Sequence, residues 1–146
     1  VWDRNAIDFS DLLKLFWECR DPTQGMGQGN DRGTQYRSAI YTDEPGLLAL
    51  AEASRNHYQG QLSATGLSTI TTEIASGKPF YFAETHHQQY LARPGARPYC
   101  SAQPSGVNLG EFAGSTYKLP AQVWDHYDWN ISHCILRGDN SPISST

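Results

Sequence analysis

The sequence predicts a mixed helix-and-strand domain of the α/β or α+β class, and three observations predict it. Segments with apolar residues at 3.6-residue spacing alternate along the chain with short segments of two-residue alternation. Glycine, proline and small polar residues punctuate the joins. The 146 residues are 38% hydrophobic and 12% aromatic, which suffices for one packed core and is not a disordered composition.

The first element is a helix expected over Phe9–Arg20. Asp8 is its N-cap and Asp11, three positions on, completes an imperfect capping box. Phe9, Leu12, Leu13, Phe16 and Cys19 form one apolar face, and Pro22 ends the helix. A glycine-rich polar loop, Gly25–Gly33, leads into a strand expected over Gln35–Tyr41. A second helix is expected over Thr42–Asn56, capped by Thr42 or Asp43 with Pro45 in its first turn. Leu67–Ile74, rich in Thr and Ile, reads as a strand. Gly77-Lys78-Pro79 is a turn, Phe80–Phe82 a short aromatic stretch, and Glu84–Leu91 a short third helix stopped by Pro94-Gly95. From Ser101 the chain loses its period, regains at most one helical turn over Val123–Trp129, and is expected to fray over Ser141–Thr146. The expected division is therefore residues 1–100 as the domain and 101–146 as a coil-rich extension.

Charge and cysteine usage narrow the function. Lys plus Arg is 11 against 15 for Asp plus Glu, a net charge of −4, which argues against a nucleic-acid partner. No run reaches the roughly 20 apolar residues of a membrane span, and no leader is visible. The three cysteines are an odd number without a Cys-x-x-Cys, so neither a disulfide framework nor a zinc ribbon is indicated. Val1-Trp2-Asp3 reads as the end of a strand entering a turn, so the chain is expected to be a fragment.

Several constellations invite chemistry. The Gly25–Gly33 loop is spaced G-x-G-x-G, runs from helix to strand and lacks a following Gly-Lys-Ser/Thr, so it is not a phosphate loop. It presents Asn30, Asp31 and Tyr36. A tyrosine hydroxyl can donate to an oxygen that gains charge, and a nearby carboxylate can orient it. The plainer alternative has Asp31 capping its own turn and Tyr36 as a strand aromatic. Glu84-Thr85-His86-His87 has the Glu-x-x-His spacing of di-iron helices but lacks the second copy such a site needs, so a solvated helix face is expected and no metal. Cys19 is expected to be a buried, inert thiol; Cys100 and Cys134 are the candidates for exchange. Asn130-Ile131-Ser132 is a chance sequon.

Phe16-Trp17-Glu18, Asp21-Pro22-Thr23-Gln24-Gly25-Met26, Gln28-Gly29-Asn30-Asp31 and Gly33-Thr34-Gln35-Tyr36-Arg37-Ser38-Ala39-Ile40-Tyr41 together resemble the peptide methionine sulfoxide reductase A family. Thr72-Glu73-Ile74, Phe80-Tyr81-Phe82-Ala83-Glu84, His87-Gln88-Gln89-Tyr90-Leu91 and Tyr99-Cys100 extend the likeness. The resemblance implies an α/β roll with a ferredoxin-like core, N-terminally incomplete here, with a long irregular tail. It implies a peptide-methionine (S)-S-oxide reductase, an oxidoreductase of protein repair under oxidative stress, without a cofactor and with thioredoxin as external reductant. The substrate is an oxidised protein or free methionine S-sulfoxide. In the family a Gly-Cys-Phe-Trp-Gly cysteine attacks the sulfoxide sulfur, a glutamate and two tyrosines bind the departing oxygen, and a second cysteine forms the disulfide that thioredoxin reduces. Carried over by position, Tyr36 matches the second tyrosine, Asp31 the active-site aspartate and Cys100 the recycling cysteine, with Cys134 as a further relay thiol.

The departures are specific. The sequence has no Gly-Cys-Phe-Trp-Gly, so the nucleophile, the first tyrosine and the glutamate are expected before Val1, and the chain alone is expected to be inactive. Cys19 stands where the family usually has asparagine, Arg20 where it has histidine and Gly27 where it has a basic residue. The alternatives are a truncated relative without catalysis and a redox-exchange or binding domain using Cys100 and Cys134. Thiol chemistry places the protein in the cytoplasm or in a plastid or mitochondrion.

Overall fold

A computed structural model describes residues 2–96 and 101–125. Helix α1 spans Phe9–Glu18 and begins at a complete capping box: the Ser10 amide donates to Asp8 Oδ1 (3.0 Å) and the Asp8 amide donates to Asp11 Oδ2 (2.9 Å). Strands β1 (Gly27–Gln28) and β2 (Asp31–Arg32) form an antiparallel hairpin. Strand β3 (Ala39–Tyr41) leads through helix α2 (Pro45–Ala64) to β4 (Glu73–Ala75), which pairs parallel to it with Ala39 opposite Glu73 and Tyr41 opposite Ala75. A parallel pair needs such a crossover, and the helix supplies it. Helix α3, Ala121–Asp125, is a little over one turn. None of the described helices is long and apolar enough to cross a membrane.

The core lies between α1, α2 and the coil beyond Ser101. Leu13 and Trp17 of α1 pack with Ala51, Tyr58 and Leu62 of α2, and Leu109 and Phe112 of the coil close the cluster. Trp17 is fully buried, and its indole N–H donates to Ser54 Oγ (2.9 Å), which donates in turn to the Ala51 carbonyl (2.7 Å). The Tyr58 hydroxyl donates to the Val107 carbonyl at 2.9 Å. Burial pushes that hydroxyl up to about 12, so it stays a donor.

The coil from Ser101 to Leu119 has no strand beside it among the described residues, yet it is part of this core. Side chains of α1 satisfy its backbone. Glu18 Oε1 accepts from the Leu109 amide (2.7 Å) and from Lys14 Nζ (2.5 Å), Ser10 Oγ accepts from the Thr116 amide (3.1 Å), and Asp11 accepts from the amides of Lys118 (3.0 Å) and Leu119 (3.3 Å).

Several boundaries differ from the sequence expectation, each for a local reason. The apolar stripe of α1 is not its most buried face. Ser10, Asp11, Leu13, Trp17 and Glu18 are buried, the two apolar residues in the core and the other three as acceptors for the coil's amides. Phe9, Leu12 and Phe16 instead line a shallow groove of about 180 Å³ with Ala39 and Ile40. Cys19 is half-buried at the helix C-cap rather than buried, with Sγ 3.9 Å from the Phe16 carbonyl. Helix α2 starts at Pro45, and neither Thr42 nor Asp43 caps it: Thr42 Oγ1 accepts from the Glu44 amide, and Asp43 accepts from the Gly77 amide. The strand expected over Leu67–Ile74 is confined to Glu73–Ala75, because the Ile70 amide goes to Gln59 Oε1 (2.7 Å) and the Thr71 amide to the Pro22 carbonyl (2.9 Å). Glu84–Leu91 is not a helix. One turn closes on the Glu84 carbonyl, Gln89 takes a left-handed conformation at φ 47°, and a 3-10 turn follows over Tyr90–Ala92.

Replacing Asp11 with Ala is expected to lower stability by about 1.5–3 kcal/mol, because three backbone donors lose a charged acceptor. Urea denaturation measures the loss, and amide exchange should rise first at Lys118 and Leu119.

Candidate functional site

The glycine loop is held at both ends. Asp21 Oδ1 accepts from the Thr23 amide (2.9 Å) and hydroxyl (2.7 Å), and the Gly25 amide donates to Thr71 Oγ1 (3.0 Å). Beyond it, the buried Ser38 and Thr72 hydroxyls bond at 2.9 Å and set the start of β3 against β4.

Between these anchors the β1–β2 hairpin turns through Gly29 and Asn30. The positive φ falls on Gly29 alone (59°), as in a type II′ turn. The Gly29 amide donates to Gln24 Oε1 (2.6 Å) and the Asn30 amide to Ser101 Oγ (3.1 Å). An added Cβ at Gly29 would run into the Ser101 carbonyl, so the hairpin tip and the coil are fitted to one another backbone against backbone.

Asp31 closes this hairpin, and Tyr36 ends the 3-10 turn Thr34–Tyr36 that follows it. The expected strand over Gln35–Tyr41 is thus shortened to Ala39–Tyr41, and Tyr36 is not a strand aromatic. The Gly33 amide donates to the Met26 carbonyl (2.9 Å), and the Tyr36 amide to the Gly33 carbonyl (3.1 Å), which folds the turn back on the hairpin. Tyr36 is 41% exposed and Asp31 is half-buried. Neither the Asp31 carboxylate nor the Tyr36 hydroxyl makes a hydrogen bond to another described residue, so Asp31 does not cap its own turn. The structure therefore sets the two predicted residues in one loop system, with neither polar group hydrogen-bonded to another described residue.

The other predicted groups lie elsewhere. Cys100 and Cys134 fall outside the described residues. Glu84, His86 and His87 are exposed, and the two imidazoles lie with centroids 4.2 Å apart, tilted by 43°. No group of three metal-ligating side chains occurs among the described residues. Next to this stretch, Phe80, Tyr81 and Phe82 stand open to solvent.

One cluster was not legible in the sequence. Glu73 Oε1 takes Lys78 Nζ at 2.8 Å, and Oε2 takes the Tyr41 hydroxyl at 2.7 Å and lies 3.6 Å from Arg37 Nε. Hydrogen bonds from Lys78 and then Tyr41 hold this carboxyl at about 2 instead of the usual 4.5. Residues 37, 41, 73 and 78 share no period, and only the β3–β4 pairing and the turn at Gly77 gather them. The adjacency of Arg37 to Tyr36 was the one available signal.

Residues 1–113 match the peptide methionine sulfoxide reductase family. The chain is 55% identical over 109 residues to peptide methionine sulfoxide reductase MsrA of Azorhizobium caulinodans, covering 74% of this chain and 49% of that protein. It is 54% identical over 110 residues to the MsrA of Azotobacter vinelandii, covering 75% and 50%. Methionine sulfoxide reductase A of Corynebacterium diphtheriae superposes with a TM-score of 0.62 at 42% identity, covering 75% of this chain and 55% of that one. The chain thus spans about half the length of the curated relatives it matches.

Two outcomes follow from this geometry. Gly29→Ala should shift the Asn30 and Ser101 amide resonances and cost about 1–3 kcal/mol, whereas Gly25→Ala, also at positive φ but with nothing within 4 Å of an added Cβ, should cost less and leave Ser101 unmoved. Glu73 has its folded pKa below its unfolded one, so its contribution to stability is complete above pH 4.5 and is lost as pH falls toward 2. Titration of the Glu73 carboxyl carbon checks this, and a midpoint near 4.5 would contradict it.

Proposed function

The chain belongs to the peptide methionine sulfoxide reductase family, and from that premise we propose that it forms the oxygen-binding half of a methionine sulfoxide pocket. The observation that carries the reading is that the Asp31 carboxylate and the Tyr36 hydroxyl lie on one loop system, each without a hydrogen-bond partner among the described residues. Tyr36 donates to the sulfoxide oxygen, where negative charge grows as a thiolate attacks sulfur. Asp31 orients that donor or the water around it.

The atoms balance in three steps. A thiol and a methionine sulfoxide give a sulfenic acid and methionine, the oxygen moving to the cysteine sulfur. The sulfenic acid condenses with a second thiol, releasing water and forming a disulfide. A dithiol reductant of the thioredoxin class then takes up the disulfide by exchange. Cys100 is the proposed resolving thiol, with Cys134 as a relay. The attacking thiol belongs to a Gly-Cys-Phe-Trp-Gly segment, which this sequence does not contain. The substrates are oxidised proteins or free methionine S-sulfoxide. The chemistry uses no bound cofactor and fits a reducing compartment, the cytoplasm or an organelle interior.

The test joins residues 1–146 to an N-terminal half that carries the Gly-Cys-Phe-Trp-Gly cysteine. The joined protein should reduce N-acetyl-methionine S-sulfoxide with dithiothreitol, and Tyr36→Phe should slow it by about tenfold to a thousandfold. An unchanged rate would remove Tyr36 from the chemistry. The 146-residue chain alone should be inactive. Turnover by that chain which disappears on changing Cys100 or Cys134 would overturn the assignment in favour of thiol exchange.

A further inference from the structure

We propose that Glu73 and Arg37 are positioning residues for the Tyr36 hydroxyl, a role that rests on the sulfoxide reading above. The 3-10 turn carrying Tyr36 is three residues long and packs none of its side chains into the core. Its backbone bonds are the Tyr36 amide to the Gly33 carbonyl at 3.1 Å and, at its C-terminal end, the longer Arg37 amide to the Thr34 carbonyl at 3.3 Å. The Arg37 side chain adds a restraint at that end. Its Nη1 donates to the same Thr34 carbonyl at 2.9 Å, so one residue closes the turn with both main chain and side chain.

The guanidinium is itself held. Nε lies 3.6 Å from Glu73 Oε2, at the first residue of β4. That carboxylate does not swing freely, because Tyr41 and Lys78 occupy its two oxygens from either side and the Lys78 ammonium also lies over the Tyr41 ring at 5.7 Å. The Gly77 amide on Asp43 fixes the turn that returns Lys78 to this place. The order of restraint therefore runs from the β3–β4 pair to Glu73, to Arg37, to the Thr34 carbonyl and so to Tyr36. A lysine at position 37 would keep the charge but lose the planar fork that faces both the carbonyl and the carboxylate.

Two readouts test this. In the 146-residue chain, Glu73→Gln and Arg37→Lys should each speed exchange of the Arg37 amide by about tenfold and move the Tyr36 ring resonances, with the Trp17 indole N–H unaffected. In the joined enzyme, Glu73→Gln should lower kcat by about tenfold and leave KM unchanged, as expected when a donor acts mainly in the transition state. Unaltered exchange at Arg37 overturns the positioning role whatever the activity does. So does a raised KM with kcat intact. Failure of the sulfoxide reading shows differently, as a joined enzyme indifferent to Tyr36→Phe while Arg37 exchange still responds to Glu73→Gln.

Discussion

The Asp11 carboxylate accepts the amides of Asp8, Lys118 and Leu119, and two of those three donors belong to a coil with no strand beside it among the described residues. A coil laid against a helix is costly where its N–H groups turn inward without acceptors. Helix α1 provides those acceptors from side chains, at Asp11 and Ser10 near one end and at Glu18 near the other. The apolar cluster depends on this arrangement, since Leu109 and Phe112 reach Leu13 and Trp17 only while the coil lies along the helix. Without those carboxylates the amides of Leu109, Lys118 and Leu119 would face the helix with no acceptor.

The coil also connects that helix to the site. At its near end, Ser101 sits on the hairpin tip, its hydroxyl taken by the Asn30 amide and its carbonyl filling the space where a side chain at Gly29 would lie. At its far end it is fastened to the first turn of α1. The hairpin that carries Asp31 is therefore supported from the core through the coil, while Tyr36 is supported from the β3–β4 sheet through Arg37. The two groups of the proposed pocket are thus placed by different parts of the fold.

Local chemistry was readable in the sequence, and tertiary chemistry was not. Asp8 and Asp11 mark the start of α1 by interactions within one turn, and the helix begins there; α2, expected over Thr42–Asn56, instead begins at Pro45 and runs on to Ala64. The face of α1 that would be buried was misread because Asp11 and Glu18 look like solvent residues until the coil lies against them. The Thr-rich run before Glu73 has strand propensity, but its amides go to Gln59 and Pro22, residues remote in sequence. Glu84–Leu91 carried a helix-like pattern that a left-handed Gln89 interrupts. Asp31 and Tyr36 were legible as a pair through the resemblance of the surrounding segment. Their freedom from internal partners was not, because composition alone favours a capping aspartate and a strand tyrosine.

The Glu73 cluster illustrates why such groups escape both sequence reading and stability accounting. Its charged members are 36–43% exposed, and surface ion pairs of that kind contribute little to folding. A rate is more sensitive. About 1.4 kcal/mol of lost transition-state stabilisation is a tenfold change, and a hydroxyl displaced by a fraction of an ångström from a developing oxyanion can lose that much without unfolding anything. The short turn bearing Tyr36 has no buried side chain to fix it, so the grip on its Thr34 carbonyl adds to the backbone bonds at Gly33 and Tyr36 in setting its position. A charge cluster that does little for the fold is thus well suited to setting the geometry of one donor.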